Sequence, residues 1–213
     1  MATVGLEERI ARLEAVREIE NLMSRYAFYH AACTHEKCLQ ISALETPGVS
    51  VELPFGVYEG RAGLERLYRG LLGRADDDVA GRSGKLHQNT MTTSVVEVAE
   101  DGRTARGVWM CPGHATDTYR SDGSLEAVWR WVKYGCDFAK EEDGWKIWHM
   151  RIYGVFGTPF YTSWTDSDGS GPPPPPQLPP ELAPDRPAHA LWQYRTDAVY
   201  PNDPAPPLPY STF

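Results

Sequence analysis

The chain has 213 residues, of which 41% are hydrophobic, and its formal net charge is −8. This length suits one core with an extension, since single domains usually run to roughly 100 to 200 residues. The negative charge repels phosphate backbones and anionic membrane surfaces, so nucleic acid and membranes are not expected partners. The first residues lack the basic start and apolar run of a secretory signal. We therefore expect a cytoplasmic protein whose four cysteines are free thiols.

The first half of the sequence predicts helices. Over residues 6–30, apolar side chains recur every three or four positions and charged side chains fill the other face, which indicates one long amphipathic helix. Shorter helices are predicted over residues 35–44 and 63–72. A short strand is predicted over residues 49–55, and Pro54 indicates that it lies at an edge or ends there.

The second half of the sequence predicts long strands. Residues 86–97, 103–112, 125–140 and 145–155 are rich in Val, Thr, Trp, Tyr and Ile, and an acidic residue followed by glycine separates each segment from the next. Turns of this kind join neighbouring antiparallel strands. Helices followed by such a meander predict an α+β fold, in which a curved antiparallel sheet is covered by the N-terminal helices. The result is a cone-shaped barrel over residues 1–165.

A proline-rich extended C-terminal arm is predicted over residues 166–213. Fourteen of the 18 prolines follow Gly171, and this density excludes helices and central strands. Aromatic residues such as Trp192 and Tyr200 make the segment more apolar than a typical disordered tail. We expect the arm to wrap around its own barrel or a neighbouring subunit. Disorder, or binding to a domain that recognises polyproline, stays open as an alternative.

Four short motifs follow one another along the chain: EIENL at 18–22, RYA at 25–27, GVYEGR at 56–61 and DGWKI at 143–147. In this order they resemble the SnoaL-like branch of the nuclear transport factor 2-like superfamily, over roughly residues 5–160. The resemblance implies the same cone-shaped fold. Members include scytalone dehydratase, ketosteroid isomerase, polyketide cyclases and also non-catalytic binding proteins, so the fold alone does not fix the function.

The same resemblance implies a set of catalytic residues. His87 and His114 match the two histidines that face the substrate of scytalone dehydratase, and Tyr134 matches a substrate-facing asparagine. His30 matches a tyrosine at the end of the first helix, where Ala31 replaces the carboxylate that many relatives keep. The acids and bases are therefore expected to be imidazoles and phenols. The candidates are Tyr26, His30, His87, His114 and Tyr134.

Strand alternation adds substrate-binding candidates. It puts Arg130 on the same strand face as Tyr134, while a register shifted by one residue would bring a charged pair to the site instead. Both registers stay open. The candidates are Asn89, which shares a strand face with His87, Trp109 as an aromatic wall, Arg130, and, in the shifted register, Lys133 and Asp137.

No metal or cofactor is expected. Cys33, His35 and Cys38 form half of a zinc motif, and no second ligand pair follows at the expected spacing. The glycines are not arranged as a phosphate-binding loop, and no serine-centred elbow occurs. These patterns argue against nucleotide-dependent enzymes and covalent hydrolases.

A cone lined by histidines and phenols predicts proton-transfer chemistry on a small hydrophobic molecule. A cofactor-independent lyase fits best, in which one histidine removes a proton and a second histidine or Tyr134 protonates a departing hydroxyl. The many aromatic residues and the long tail resemble the branch that releases formaldehyde from lignin-derived diarylpropane diols. A dehydratase or isomerase of a polyketide-like or steroid substrate and a non-catalytic binding protein are the alternatives. The resemblance also implies a homodimer or homotrimer.

Overall fold

The structure is a computed structural model that describes residues 5–78, 80–119, 122–166, 177–189 and 193–213. The α-helices are α1 (Leu6–Ala31), α2 (His35–Gln40), α3 (Gly60–Glu65) and α4 (Gly73–Asp77), and a π-helix over Arg66–Leu72 joins the last two. The strands are β1 (Ser50–Leu53), β2 (Gly56–Glu59), β3 (His87–Asn89), β4 (Thr92–Val98), β5 (Thr104–Tyr119), β6 (Leu125–Glu141) and β7 (Gly144–Pro159). Single 3-10 turns lie at Ala80–Arg82 and Pro180–Leu182.

Within the described residues, the seven strands form one curved sheet in the order β2-β1-β7-β6-β5-β3, and β4 also pairs with β5. Strands β5, β6 and β7 form the antiparallel meander, and β1 runs parallel to β7. Gly102 and Gly123 adopt φ values of 68° and 83° in the turns, a conformation that glycine reaches without strain. The predicted α+β fold, with helices covering a curved sheet, is confirmed.

The helices cover the inner face of the sheet. On this face Tyr134, Cys136 and Phe138 of β6 join Ile19 and Met23 of α1 in one hydrophobic core. Burial of an apolar side chain of this size contributes about 1.5 to 3 kcal/mol. The contact between α1 and the sheet is therefore a major source of stability, and it fixes the C-terminal half of α1 over the interior of the cone.

The N-terminal turns of α1 do not reach this core. Leu6 and Leu13 expose 69% and 71% of their surface, whereas Ala15 and Ile19 are buried. The apolar stripe that predicts this helix runs over residues 6–30. It packs only from Ala15 onward, because the first turns project beyond the layer in which α1 contacts the sheet.

Two predicted elements are shorter than expected. The helix predicted over residues 35–44 ends at Gln40, because Ile41 accepts a hydrogen bond from the backbone of Ile147 in β7 (3.0 Å) and so leaves the helix. The strand predicted over residues 86–97 is divided into β3 and β4. Thr93 adopts a positive φ of 50° there, and the pairing with β5 shifts register.

Strand β5 is longer than predicted. The strand predicted over residues 103–112 ends at Pro112, but β5 continues through Pro112-Gly113 to Tyr119. A Cβ atom on Gly113 would lie 2.6 Å from the carbonyl oxygen of Arg130 and 2.9 Å from Oδ1 of Asn89. Glycine is therefore needed at this position because two neighbouring strands approach closely, which is a second common role of glycine in strands.

The described part of the C-terminal arm (residues 177–189 and 193–213) crosses the outer face of the sheet. Arg186 pairs through its backbone with Val57 of β2, and Gln193 N donates to Gly154 O of β7 (2.9 Å). Further along the arm, Asp203 O accepts a hydrogen bond from Lys133 Nζ of β6 (3.0 Å). Tyr210 O accepts a hydrogen bond from Glu100 N at the β4–β5 turn (3.0 Å). Leu182 is buried, and its carbonyl oxygen accepts a hydrogen bond from Tyr58 Oη (2.9 Å). No helix in the described part of the chain is both long and apolar enough to cross a bilayer.

Candidate functional site

Three imidazoles meet where α1 ends and α2 begins. Nδ1 of His30 lies 3.0 Å from Nε2 of His35, and the two ring centroids are 5.1 Å apart. The ring of His87 in β3 lies 4.6 Å from the ring of His30, edge to face. The link between the helices is a tight turn in which Cys33 has a φ of 51° and Thr34 N donates to Tyr29 O (2.9 Å). This turn brings His35 back against His30.

Phenols lie beside the imidazoles. Tyr26 precedes His30 by one helical turn, and their rings stack with centroids 5.9 Å apart. Tyr134 of β6 packs edge to face against Tyr26 at 6.1 Å, and Nδ2 of Asn89 donates to its hydroxyl at 3.5 Å. Tyr68 of the π-helix shares a side-chain hydrogen bond with Tyr26. Since all three tyrosines expose 3% of their surface or less, the hydroxyls lie in an environment with little water.

Burial keeps these groups uncharged. Desolvation, and then the nearby His87 and His35, hold the pKa of His30 well below its usual value, so its imidazole is neutral near pH 7. Desolvation raises the pKa of Tyr26, Tyr68 and Tyr134 well above the usual value for a phenol. The site therefore combines a neutral base with protonated phenols that can donate a hydrogen bond or a proton.

A groove of about 260 Å³ lies between α1 and β3 and reaches the site through Asn89. Ala27 and Ala31 lie one helical turn apart on α1, and their small side chains leave this space open. Phe28 lies on its rim and is largely exposed. The remaining lining residues are Ser24, Gln88, Thr90 and Met91. A benzene ring fits a cavity of about 150 Å³ in another protein, so this groove has room for one substituted aromatic ring.

A second cavity, of about 560 Å³, lies between the outer face of the sheet and the C-terminal arm. Its charged residues are already paired. Arg151 donates to Glu52 (2.7 Å), Arg186 donates to Glu59 (2.6 Å), and Nδ1 of His149 lies 3.0 Å from Asp137. Glu52 also accepts a hydrogen bond from the backbone N–H of His189 (2.6 Å). The contacts of Arg186 and His189 attach the arm to the sheet, and the other two pairs join neighbouring strands.

The structure brings together five of the predicted site residues, namely Tyr26, His30, His87, Asn89 and Tyr134. It does not bring His114 to them. In the β3–β5 ladder His114 is opposite Gln88, and both lie on the outer face, while the neighbouring His87 and Asn89 face inward. The ring of His114 is exposed and packs edge to face against Trp129 at 6.2 Å. The prediction that His114 shares the site with His87 is therefore corrected.

The register of β6 is the one that directs Tyr134 inward. Arg130 lies opposite Gly113, on the same face as Asn89, and Trp109 is buried opposite Tyr134. The alternative register with Lys133 and Asp137 in the site is corrected, because both lie on the outer face. Lys133 contacts the arm there, and Asp137 pairs with His149.

Two members of the cluster, His35 and Tyr68, were not among the predicted site residues. His35 drew attention only through its spacing from Cys33 and Cys38, as half of a zinc motif. Cys38 is buried, and His35 turns toward His30. Among the residues that the structure describes, no group of three or more His, Cys, Asp or Glu side chains is arranged to hold a metal ion. The contact between His30 and His35 could not be read from the sequence, because it joins residues five positions apart across a turn in which Cys33 has a positive φ.

Comparisons with known proteins place the chain in a family. The SnoaL-like domain family matches residues 11–151. Solved structures of similar fold include a candidate scytalone dehydratase from Novosphingobium aromaticivorans (14% identity, 73% of this chain and 93% of that chain, TM-score 0.53). A candidate dehydratase of the NTF2-like family from Streptomyces avermitilis is also similar (18% identity, 68% of this chain and 98% of that chain, TM-score 0.54). So is LinA (14% identity, 73% of this chain and 96% of that chain, TM-score 0.54). No curated protein matches the sequence. At these identities the solved structures show the fold alone, but the family match covers most of the barrel, and the chain belongs to the SnoaL-like domain family.

Proposed function

We propose that the protein is a cofactor-independent lyase that uses acid–base chemistry on a hydroxylated aromatic molecule. The observation that supports this most directly is the contact of the neutral imidazole of His30 with two further imidazoles and with the buried, protonated phenol of Tyr26. The SnoaL-like fold is related to dehydratases, isomerases and lyases. Proton removal and proton delivery are the two events that an elimination needs, and each contributes about 10²- to 10⁴-fold to rate when the group is well positioned.

In the proposed reaction His30, together with His87, removes a proton from the substrate. Tyr134 delivers a proton to the departing hydroxyl, which leaves as water. Asn89 lies within 3.5 Å of the Tyr134 hydroxyl and also lines the groove, so it is placed to orient an incoming hydroxyl. The buried surroundings exclude bulk water, which would otherwise add to an electron-poor intermediate.

The specific substrate class that we propose is a lignin-derived diarylpropane diol. Loss of its benzylic hydroxyl as water, with removal of the phenolic proton, gives a quinone methide. Removal of the proton of the hydroxymethyl group then breaks the carbon–carbon bond and releases formaldehyde. The electron pair forms the stilbene double bond and converts the quinone methide to a phenolate, which takes back a proton. The products are a stilbene, formaldehyde and water, and no oxidant is required. The groove has room for one of the two rings.

The test is incubation of the purified protein with erythro-diguaiacylpropanediol, followed by assays for formaldehyde and for the fluorescence of a stilbene. Equal amounts of both products are expected. Water loss from another hydroxylated aromatic without formaldehyde would instead indicate a dehydratase, and a double-bond shift in a polyketide-like or steroid substrate would indicate an isomerase. Saturable binding without turnover of any substrate would indicate a non-catalytic binding protein.

The site itself is tested with two variants that differ in position. His87→Ala removes an imidazole from the cluster, and a fall in turnover of at least about 100-fold is expected. His114→Ala removes an imidazole from the outer face, and the structure gives it no role in the chemistry. If His87→Ala kept the full rate, the proposed part of His87 in proton removal would be wrong.

A further inference from the structure

We infer that His35 is a positioning residue. Its Nε2 accepts a hydrogen bond from the Nδ1–H group of His30, and this makes Nε2 of His30 the basic atom of the site. This inference rests on the proposed function, because it assigns a role to His35 within the same reaction. His35 is 3% exposed, and its Nε2 lies 3.0 Å from Nδ1 of His30, a normal hydrogen-bond length.

The direction of this hydrogen bond follows from the chemistry of a base. When His30 takes a proton, its ring becomes an imidazolium that carries hydrogen on both nitrogens. The contact with His35 persists in that state only if His35 Nε2 accepts. His35 must then be neutral, with its own hydrogen on Nδ1. A hydrogen bond on one imidazole nitrogen selects the tautomer and leaves the other nitrogen for chemistry, so the pair makes Nε2 of His30 basic before substrate arrives.

The backbone between the two residues holds this arrangement. Thr34 immediately precedes His35, and both its N–H and its hydroxyl donate to the carbonyl oxygen of Tyr29, at 2.9 Å and 3.1 Å. Cys33 turns the chain with a φ of 51°. Tyr29 in turn precedes His30 on α1. The two imidazoles are thus tied to the same short turn, which limits how far either ring can move from the other.

The contact between His30 and His87 is consistent with this role. His87 contacts the ring of His30 edge to face, with an angle of 68° between the planes. His35 meets the same ring at an angle of 68°. His30 therefore contacts two imidazoles, one carried by a helix and one by a strand. A ring fixed in this way loses little further freedom when it removes a proton, which is the advantage of a pre-organised base.

The direct test is the tautomer of His30, measured by ¹⁵N NMR on the full-length protein labelled at histidine, without substrate. We expect a pyrrole-like signal for Nδ1 of His30 and a pyridine-like signal for its Nε2. Assignment uses the His30→Gln and His35→Gln variants. The reverse pattern, with hydrogen on Nε2 of His30, would overturn the inference. This measurement does not depend on turnover, so it can succeed or fail separately from the proposed function.

Two substitutions of His35 then distinguish positioning from packing. His35→Gln keeps an oxygen that can accept a hydrogen bond from the Nδ1–H group of His30, whereas His35→Leu fills the space without an acceptor. With a turned-over substrate, kcat should fall about 100-fold in His35→Leu and recover substantially in His35→Gln. His189→Gln, on the exposed arm, is the matched control and should keep the full rate. Equal losses in both His35 variants would indicate packing alone and contradict the inference. If His35→Leu fails to fold, the tautomer measured in the wild-type protein decides.

Discussion

Replacing Tyr134 by phenylalanine should abolish most activity while leaving stability nearly unchanged. Tyr134 is 1% exposed, and its hydroxyl has one hydrogen bond among the described residues, from Asn89 at the long distance of 3.5 Å. Loss of so weak a bond should change the free energy of unfolding by less than about 0.5 kcal/mol. Loss of the phenolic proton should lower kcat by about 10²- to 10⁴-fold, because desolvation raises the pKa of this hydroxyl and so keeps it protonated as an acid.

Tyr58→Phe is the matched control, since Tyr58 is equally buried and lies outside the site. Its hydroxyl donates to the carbonyl oxygen of Leu182 at 2.9 Å, so this variant leaves a buried carbonyl without that partner. We expect a loss of about 1 to 2 kcal/mol, which lowers Tm by roughly 2 to 8 °C for a protein of this size. Turnover should be unchanged. Thermal unfolding and turnover are measured on both variants. Full activity in Tyr134→Phe, or a stability loss as large as that of Tyr58→Phe, would refute the assignment of Tyr134 as the acid.

Glu52→Gln should lower the free energy of unfolding by about 1 to 2 kcal/mol in urea titrations, because it weakens a buried anchor of the C-terminal arm. The control Glu45→Gln changes an exposed residue and should alter this free energy by less than about 0.5 kcal/mol. Equal effects would show that burial of Glu52 does not matter. Iodoacetamide should label Cys33 in the native protein and spare Cys111, because burial raises the pKa of the Cys111 thiol to about 12. Mass spectrometry of the labelled protein, before and after denaturation, measures this difference. Rapid labelling of Cys111 in the native protein would contradict it. The pKa of His30 in the folded state lies well below 6.5. Below about pH 6.5 the unfolded chain therefore binds a proton at His30 that the folded chain does not bind. The free energy of unfolding should fall as pH decreases through that range, by up to about 1.4 kcal/mol per pH unit. Urea titrations between about pH 7 and pH 5 should show a smaller dependence in His30→Gln; equal slopes would exclude this linkage.

Much of the fold was predictable because its longest elements have strong periodic patterns. Helix α1 and strands β5 to β7 carry the 3.6-residue and two-residue repeats over more than a dozen positions, and acidic-glycine turns separate the strands. The splitting of β3 from β4 had no such signal, because it depends on a positive φ at Thr93, a residue type that rarely adopts it. The continuation of β5 beyond Pro112 had no local signal either, because Gly113 accommodates the backbone of a neighbouring strand.

The same distinction applies to the site. Alternation within one strand correctly associates His87 with Asn89, because both positions belong to the same short element. The position of His114 depends on the register between β3 and β5, and a change of one residue moves a side chain to the opposite face of a sheet. The contact between His30 and His35 depends on the geometry of a turn. Both are tertiary features that no local pattern in a single sequence specifies.

The composition of the cluster also limits the chemistry that it can perform. Ala31 stands where, as the resemblance implies, many relatives keep a carboxylate, and the neighbours of His30 in the cluster are imidazoles and a phenol. A buried imidazolium without an opposing charge is costly, so a proton taken by His30 must be passed on within the same reaction. An elimination meets this condition, since one proton is removed and one is delivered to the departing hydroxyl, and the cluster ends as neutral as it began. A reaction that leaves a net charge on the cluster would have to place an ion in a dry interior. The proposed lyase chemistry is thus favoured over such reactions by the same burial that keeps His30 neutral and the phenols protonated.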